Sequence, residues 1–441
     1  MRKLTVKNFS VIKEAELEFG KITVLIGPQS SGKSLLCKLA YFLGNRVIEE
    51  ALSAILNEHV HGEEAFSDFK ASITRSFLES FPIETWQHKE SSVILEANSY
   101  LVKVAPAKHF GDLEIVFSAE FMRSFYTVDD LVRRLPGNTS DSRRYLADQV
   151  RAYLNLLLAE PSLEEIFISR PIYIPDGRAF LANQSLGINL VSNPDIDPIL
   201  KEFALEVSWG TARSPDPVLG EEGVSVLHDI RREIVRISGG GVEGRNGSAR
   251  FRRLSDGKSI PLPLLSSGTQ SILPMFNVLW RVITEQRSRI LFPRPDNLPA
   301  MPNKIIVSAA LVYLEEPESN IFPSTQYDLI RLLAWLSNEW RLRFSWVITT
   351  HSPYTLSSFN NLIYAGQLSK HKQLRKKIPI DKKYWIEPGT FAAYSIHDGI
   401  SESILSKSGL IDGEYLDSVS ETIGNEFDSL LRLEYDSTKA S

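Results

Sequence analysis

Two stretches hold residues whose types and spacing could do chemistry on a phosphate. "GPQSSGKS" (27–34) matches G-x-x-x-x-G-K-[ST] in full, follows the strand-like run "ITVLI" and opens the helical run "SLLCKLAYFL". That strand–loop–helix context is the one the pattern requires. Gly27 and Gly32 allow a tight turn whose backbone N–H groups point at phosphate oxygens. The following helix adds its positive end. Residues Gly27, Pro28, Gln29, Ser30, Ser31, Gly32, Lys33, Ser34 and Leu35 are therefore expected to cradle a nucleotide. Lys33 would reach the β and γ phosphates of ATP, and the Ser34 hydroxyl would ligate Mg²⁺. The alternative, a chance Gly-rich turn, does not account for the flanking strand and helix.

"LVYLEEPESN" (311–320) is an apolar run that ends in two glutamates, a proline and a third glutamate. By itself it could equally be a strand running into a solvated turn. Beside a nucleotide the pair acquires a chemical role. Glu315 can hold Mg²⁺, directly or through water, and Glu316 can polarise the attacking water as general base. Adjacent side chains on a strand point to opposite faces. Both can face the phosphates only if the strand ends between them, and Pro317 helps to end it. "LLSSGTQSI" (264–272) is a small hydroxyl-rich turn opening a helix, on its own an ordinary N-cap. "VITTHSPYTL" (347–356) places His351 just past a strand, where it is either structural or within hydrogen-bonding reach of a γ phosphate.

The elements that must position these groups follow from the hydrophobic pattern. Three short strands are expected in the first 27 residues ("LTVKNF", "AELEF", "ITVLIG"), then helix through residue 90 or so. Strands follow at "SSVILEANSYLVKVAP" and "DLEIVFSAEF", where Val, Ile, Tyr and Phe are dense. Residues 120–165 return to helix around a loop at "LPGNTSDS", and "RPIYIPDGR" (170–178) reads as a short strand. Residues 209–223, the five-glycine run 238–249 and the stretch 285–303, with four prolines in "LFPRPDNLPAMPNK", read as loops. A buried strand ("IIVSAALVYLEE"), a helix ("TQYDLIRLLAWLSNEW") and a strand ("FSWVITT") complete an α/β core with a parallel sheet.

Bulk properties narrow the function class. The chain has 441 residues, 43% hydrophobic and 23% charged, the profile of a globular protein. A net charge of −5 argues against a dedicated polyanion binder. The single cysteine, Cys37, excludes an intrachain disulfide framework and fits a reducing, cytoplasmic setting. No apolar run reaches the roughly 18 residues of a membrane span, and the charged, alternating start is not a signal peptide.

The order of the motifs resembles the head of ABC-type ATPases, which implies a P-loop NTPase fold of that type: α/β, with a mixed, largely parallel central sheet, N-terminal antiparallel strands and a mainly helical insertion. The resemblance implies three parts: residues 1–50 as the N-terminal part of the core, 51–165 as a helical insertion with a β-hairpin, and 166–441 as the C-terminal part of the core. In that family "LSSGTQ" corresponds to the signature motif, so Ser266, Ser267 and Gly268 would contact ATP held by the opposite protomer of a homodimer. Glu315 and Glu316 match the Walker B end and catalytic base, Ser319 and Asn320 the loop coupling the two sites, and His351 the switch histidine. Glu315 replaces the usual aspartate, and Thr269 stands where a glutamine is typical. The family's sensing glutamine has no assigned counterpart; Gln149 and Gln184 are the glutamines considered.

Gly268 and Glu315 lie 47 positions apart, unlike the close spacing of transporter subunits. The opening residues, "EEPESNIFPSTQ" and "TTHSPYTL" are similar to heads of the SMC and OLD type. The segment 45–165 is too short and too interrupted for an SMC coiled coil. The 90 residues after His351 lack the carboxylate cluster of a two-metal nuclease. The chain thus resembles the stand-alone ATPase subunits of anti-phage systems, PARIS (AriA) before Septu (PtuA). That implies a cytoplasmic sensor or switch, a homodimer or a higher homo-oligomer, that answers a phage-derived trigger and controls a separate effector nuclease, with no membrane. The other reading is an SMC-like ATPase acting on DNA. Two basic runs bear on it: "KHKQLRKKIPIDKK" (370–383), with seven Lys/Arg against one Asp, and "RNGSARFRR" (245–253), with four arginines. Each is a phosphate-binding patch or a solvated loop.

Overall fold

The computed structural model describes residues 2–57, 59–86, 90–107, 113–133, 147, 150–151, 154, 166–182, 196–210, 221–243, 249–285, 305–339, 342 and 344–412. The strands in chain order are β1 (Arg2–Phe9), β2 (Ile12–Phe19), β3 (Ile22–Ile26), β4 (Ser92–Ala97), β5 (Tyr100–Pro106), β6 (Leu113–Phe117), β7 (Ile166–Ile174), β8 (Gly240–Glu243), β9 (Arg250–Arg253), β10 (Ser259–Pro261), β11 (Ile305–Glu315), β12 (Phe344–Thr350), β13 (Phe391–His397) and β14 (Ile400–Ser403). The α-helices are α1 (Lys33–Tyr41), α2 (Val47–Ile55), α3 (Gly62–Ser80), α4 (Ala119–Arg133), α5 (Pro198–Gly210), α6 (Glu221–Ser238), α7 (Ser267–Glu285), α8 (Pro323–Asn338) and α9 (Pro353–Leu368).

Eleven strands form one sheet in the order β6-β5-β4-β1-β2-β14-β13-β3-β12-β11-β7. Neighbours from β13 to β7 run parallel, and β1 pairs antiparallel with β2 and β4. The α/β class, the mixed sheet and the antiparallel N-terminal strands are as the sequence implies. Strands β4 to β6 do not stand apart; they prolong the sheet beyond β1.

The parallel strands are buried on both faces, which is why they read as continuous apolar runs rather than alternating ones. Successive residues nonetheless enter different cores. Leu311, Tyr313 and Val347 join a cluster with β1, β4 and α1 to α4. Val312, Leu314, Trp346 and Ile348 join a second cluster with α7, α8 and α9. The period of 2 sorts the side chains between the faces. Ion pairs tie this region to the start of α5: Lys38 of α1 with Asp197, just before α5, and Arg46, just before α2, with Glu202 of α5 (2.9 Å).

One expectation is corrected. The run 238–249 contains strand β8, which pairs with β9 in a separate three-stranded sheet with β10. Its glycines did not prevent pairing, because Gly240 lies where a Cβ would meet Phe251 and the carbonyl of Arg252. The bare backbone is what lets the strands approach. The expected loop at 135–142, the parts 211–220 and 286–303 of the loops expected at 209–223 and 285–303, and any helix between 134 and 165 apart from isolated residues lie outside the described residues, while 209–210, 221–223 and 285 are helical rather than loop. No helix among the described residues is long and apolar enough to cross a membrane.

Candidate functional site: the carboxyl ends of the parallel strands

Four parallel strands, β3, β12, β11 and β7, end side by side, with Ile26 level with Thr350, Glu315 with Thr349 and Leu314 with Ile174. The carboxyl edge of such a sheet is where α/β proteins hold ligands. The loop from Gly27 to Gly32 leaves β3 there and α1 begins at Lys33. Gly32 has φ of 101°, and a Cβ on it would fall 2.5 Å from Ile12 Cδ1, so only glycine fits. Pro28, Gln29 and Ser30 are exposed, and Ser31, Gly32, Ser34 and Leu35 are half-buried. The Lys33 ammonium is buried and folded back on the loop, donating to the carbonyls of Gly27 (2.9 Å) and Pro28 (2.8 Å) and to Ser31 Oγ (3.4 Å). Burial pulls its pKa below the lysine range, against the opposing pull of the Glu316 and Glu318 carboxylates. A polyanion is what would relieve that desolvation.

The acid run divides its work among three glutamates. Glu315 ends β11 and is only 5% exposed. Its Oε1 accepts from the Tyr173 hydroxyl at 2.6 Å and its Oε2 from the Asp176 backbone N–H at 3.1 Å. The same hydroxyl lies 3.5 Å from the Ser34 carbonyl, so Glu315 and Ser34 flank one phenol. Glu316 sits beyond the strand end in left-handed backbone, φ 40°. Such a conformation costs a non-glycine residue of order 1–3 kcal/mol and persists only where neighbours impose it. Its N–H donates to the Thr349 carbonyl (3.0 Å). The turn swings its carboxylate to His351, whose Nε2 lies 3.0 Å from Glu316 Oε1. Glu318, absent from the sequence expectations, pins the histidine loop: its Oε1 accepts from Thr350 Oγ1 (2.6 Å) and the His351 N–H (2.7 Å). Burial raises the Glu318 pKa, and these two donors oppose that shift.

Ser319 Oγ reaches Asp176 Oδ1 (2.7 Å) and Glu316 Oε2 (3.3 Å), so the loop after the acids is bonded into the site. Tyr173, Asp176 and Arg178 are a second omission. They come from "IYIPDGR", which as a sequence is only a strand and a turn. Their partners at the end of β11 lie about 140 positions away, as Tyr173 and Glu315 do, and nothing local announces that. Gln149 and Gln184 lie outside the described residues. Cys37 is buried, as a small core residue would be, and burial beside Glu315 raises its thiol pKa well above the usual range.

Among the described residues, no side-chain hydrogen bond joins Ser266 to the P-loop or the acids. Ser266, Ser267 and Gly268 open α7 as an exposed turn, with Ser266 Oγ accepting from the Thr269 N–H (3.3 Å) and paired with its hydroxyl (2.9 Å). Gly268 packs on the loop after the acids, where a Cβ would stand 2.5 Å from the Asn320 carbonyl. On the other side of the P-loop, a cavity of about 460 Å³ lies between Ser10–Lys13 of the β1–β2 turn, residues 28–31, and His397–Gly399. That volume suits the nucleoside end of a nucleotide.

The residues present fit Mg²⁺ and ATP. The donors near Ser34 are hard oxygens, and the Glu315 carboxylate, with one donor on each oxygen, keeps lone pairs for an ion. Among the described residues no group of three or more His, Cys, Asp or Glu could hold a metal by itself. An ion here would need phosphate or water oxygens as well.

Three arginines of 245–253 and one lysine of 370–383 are engaged on the surface. Arg250 Nη2 donates to the Ser259 carbonyl (2.8 Å), Arg252 pairs with Glu243 (3.3 Å) and Arg253 with Asp256 (3.2 Å). Lys383 lies over the rings of Trp335 (4.1 Å) and Tyr384 (4.9 Å).

Residues 194–356 match the family model described as the AAA ATPase domain. The matched segment holds the Ser266 turn, both Glu315 and Glu316, and His351, while the P-loop precedes it. No curated protein matches the chain. Among solved structures, the chain is similar to an SMC head bound to the C-winged helix domain of ScpA, at 11% identity over 91% of this chain and 96% of that one, TM-score 0.40. It is similar to an SMC head with an extended coiled coil, bound to a ScpA domain from Pyrococcus furiosus, at 12% identity over 92% and 96%, TM-score 0.38. It is also similar to a dimeric ATP-binding cassette bound to ADP and phosphate, at 10% identity over 90% and 96%, TM-score 0.31. The ATPase-domain match, on a site with a complete P-loop and paired acids, supports ATP hydrolysis.

Proposed function

We propose that the chain is an ATP-hydrolysing switch whose working sites are shared between two copies. The observation that carries this is the separation of its parts. Lys33, Glu315, Glu316 and His351 converge at one sheet edge, whereas the Ser266 turn stands exposed at the start of α7. A helix N-terminus facing solvent offers an anion site to another molecule. Three large apolar side chains support a covering partner: Leu264 (74% exposed) precedes the turn, Phe322 (74%) follows Asn320 and Tyr354 (57%) follows His351. Single exposed apolar residues are ordinary. Here each stands within a few positions of a site loop, and an isologous contact would cover all three and bury two ATP molecules.

In this reading the loop N–H groups and the start of α1 receive the phosphates. Lys33 exchanges the Gly27 and Pro28 carbonyls for β and γ oxygens. Ser34 and Glu315 would hold Mg²⁺, whose charge offsets that developing on the phosphates. Glu316, aimed by its left-handed backbone and by His351, takes the proton of the attacking water. The finer role rests on the likeness of the motifs to defence ATPases. It is a cytoplasmic sensor that meets a phage-derived trigger and then controls a separate effector nuclease.

The test is complementation. Ser266→Arg puts bulk and charge in the turn, so it should spare ATP binding by a monomer and abolish hydrolysis. Mixing it with Lys33→Ala should restore about one composite site per heterodimer, read as ATPase rate against mixing ratio. A dead mixture with hetero-association confirmed would sink the shared site. For the defence role, plaque counts on cells carrying this gene with its neighbours should rise when Lys33→Ala is introduced.

A further inference from the structure

Arg178 is 0% exposed and directs four hydrogen bonds at backbone carbonyls. Nη1 donates to Pro175 (2.9 Å) and Glu315 (2.8 Å), Nη2 to Glu316 (3.0 Å) and Nε to Ser271 (3.0 Å). None of these acceptors carries charge. A buried guanidinium without a directly bonded carboxylate is costly and has no advantage over an apolar side chain for filling space. What it does supply is a rigid planar fork that fixes several acceptors at once. The acceptors belong to three separate pieces: the turn after β7, the end of β11 that carries both acids, and the first turns of α7, the helix opened by Ser266 to Gly268.

Two features make this junction informative. The carbonyl held by Nη2 is that of Glu316, whose backbone is left-handed. In α7, Pro274 offers no N–H to the carbonyl of Gln270, so the helix is weakened next to Ser271, the residue that Nε holds. Arg178 therefore joins the strained base to the least self-sufficient turn of the signature helix.

We propose that Arg178 is a positioning residue that links the two half-sites of one chain. It keeps the Glu316 carboxylate aimed at the P-loop, and it passes any shift of Glu316 on ATP binding to α7, whose N-terminus serves the partner's ATP. Hydrolysis at the two composite sites would then be cooperative. The proposal rests on the shared-site reading for its consequence in the dimer, but the link itself lies within one chain and is measured there.

Hydrogen exchange on the unaltered protein, at concentrations where it is monomeric, tests the link. A non-hydrolysable ATP analogue with Mg²⁺ should slow exchange of amides 267–275 along with those of 28–34 and 316–320. Protection of the P-loop with no change in 267–275 would overturn it, even if complementation succeeded. Conversely, slowing in the monomer with dead complementation would leave the link and remove the shared site.

Arg178→Lys keeps the charge but not the fork. If folded, it should bind ATP within about twofold of the unaltered chain, lose about 10- to 100-fold in kcat and drop to a Hill coefficient of one. An unaltered kcat and Hill coefficient in the folded variant would overturn the proposal. So would a rise in KM with kcat kept, since that marks a ground-state binding role. Should the variant not fold, the exchange experiment decides.

Discussion

Glu315 and Ser266 serve the same reaction in the reading proposed here, yet they are held in opposite ways. Glu315 is 5% exposed and bonded to Tyr173 and Asp176, residues from another strand end. Ser266 is exposed, and among the described residues its hydroxyl is bonded only to Thr269, three residues on. The acid half of the site is preorganised by long-range contacts, so no side chain has to be ordered when ATP arrives. The signature half is a local cap, and its position depends on where its helix is carried. In that reading, chemistry held ready by long-range contacts beside a turn that faces outward suits a switch whose closure is conditional on a partner.

The largest effect should come from the preorganised side. Lys33→Ala should remove ATP binding while the fold survives, because among the described residues the side chain bonds only its own loop. Titration with a fluorescent ATP analogue reads this, and tight binding by the folded variant would break the comparison at its root. Next, Glu316→Gln should bind ATP but hydrolyse it about 10²–10⁴-fold more slowly, the usual cost of a lost general base. Near-normal turnover would move that role to Glu315, His351 or another group.

The comparison sharpens when stability is measured at both ends. Tyr173→Phe leaves Glu315 buried without its phenolic donor and should cost about 1–3 kcal/mol in denaturant unfolding. Ser266→Ala removes only an exposed cap, with an expected cost near the low end of about 0.5–2 kcal/mol. Equal losses would mean that the signature turn is built into the fold after all.

The smallest effect concerns Glu318. Its native pKa is raised above the ordinary value of 4.5, chiefly by burial. Such a carboxyl binds its proton more tightly in the native than in the unfolded chain, so its ionisation weighs against the native state once pH exceeds the raised value. That penalty fades as pH falls toward 4.5. Glu318→Gln should therefore raise Tm slightly at pH 8, with the advantage shrinking on acidification. A variant less stable at pH 8 would show that the ionised carboxylate, through Thr350 and the His351 N–H, outweighs its desolvation.

The parts of the site that were legible in advance are those written as short contiguous runs. Residues 27–34, 315–316 and 351 each sit at a strand end that their own flanking residues announce, so the β3, β11 and β12 edges could be placed beside one nucleotide. The glycines of 238–249 misled because a single chain pattern does not show that Phe251 and the Arg252 carbonyl will press on Gly240. Tyr173, Asp176, Arg178 and Glu318 went unseen for a related reason. A tyrosine at the end of one strand, an arginine in a turn and a third acid in a loop have no spacing that marks them.

By itself, then, the sequence determined the glycine-rich turn between β3 and α1, the acid pair at the end of β11, the parallel core and the order in which they occur, because each depends on local propensity and on periodicity within one element. The tertiary structure alone decided how each acid is held. Glu315 turns inward to Tyr173 and Glu316 turns left-handed toward His351, because the register of β11 against β7 and β12 fixes where the strand stops and which donors meet it. It also decided that Arg178 bridges that strand end to α7, a contact between residues 178, 271, 315 and 316 that exists only once the fold has brought them together.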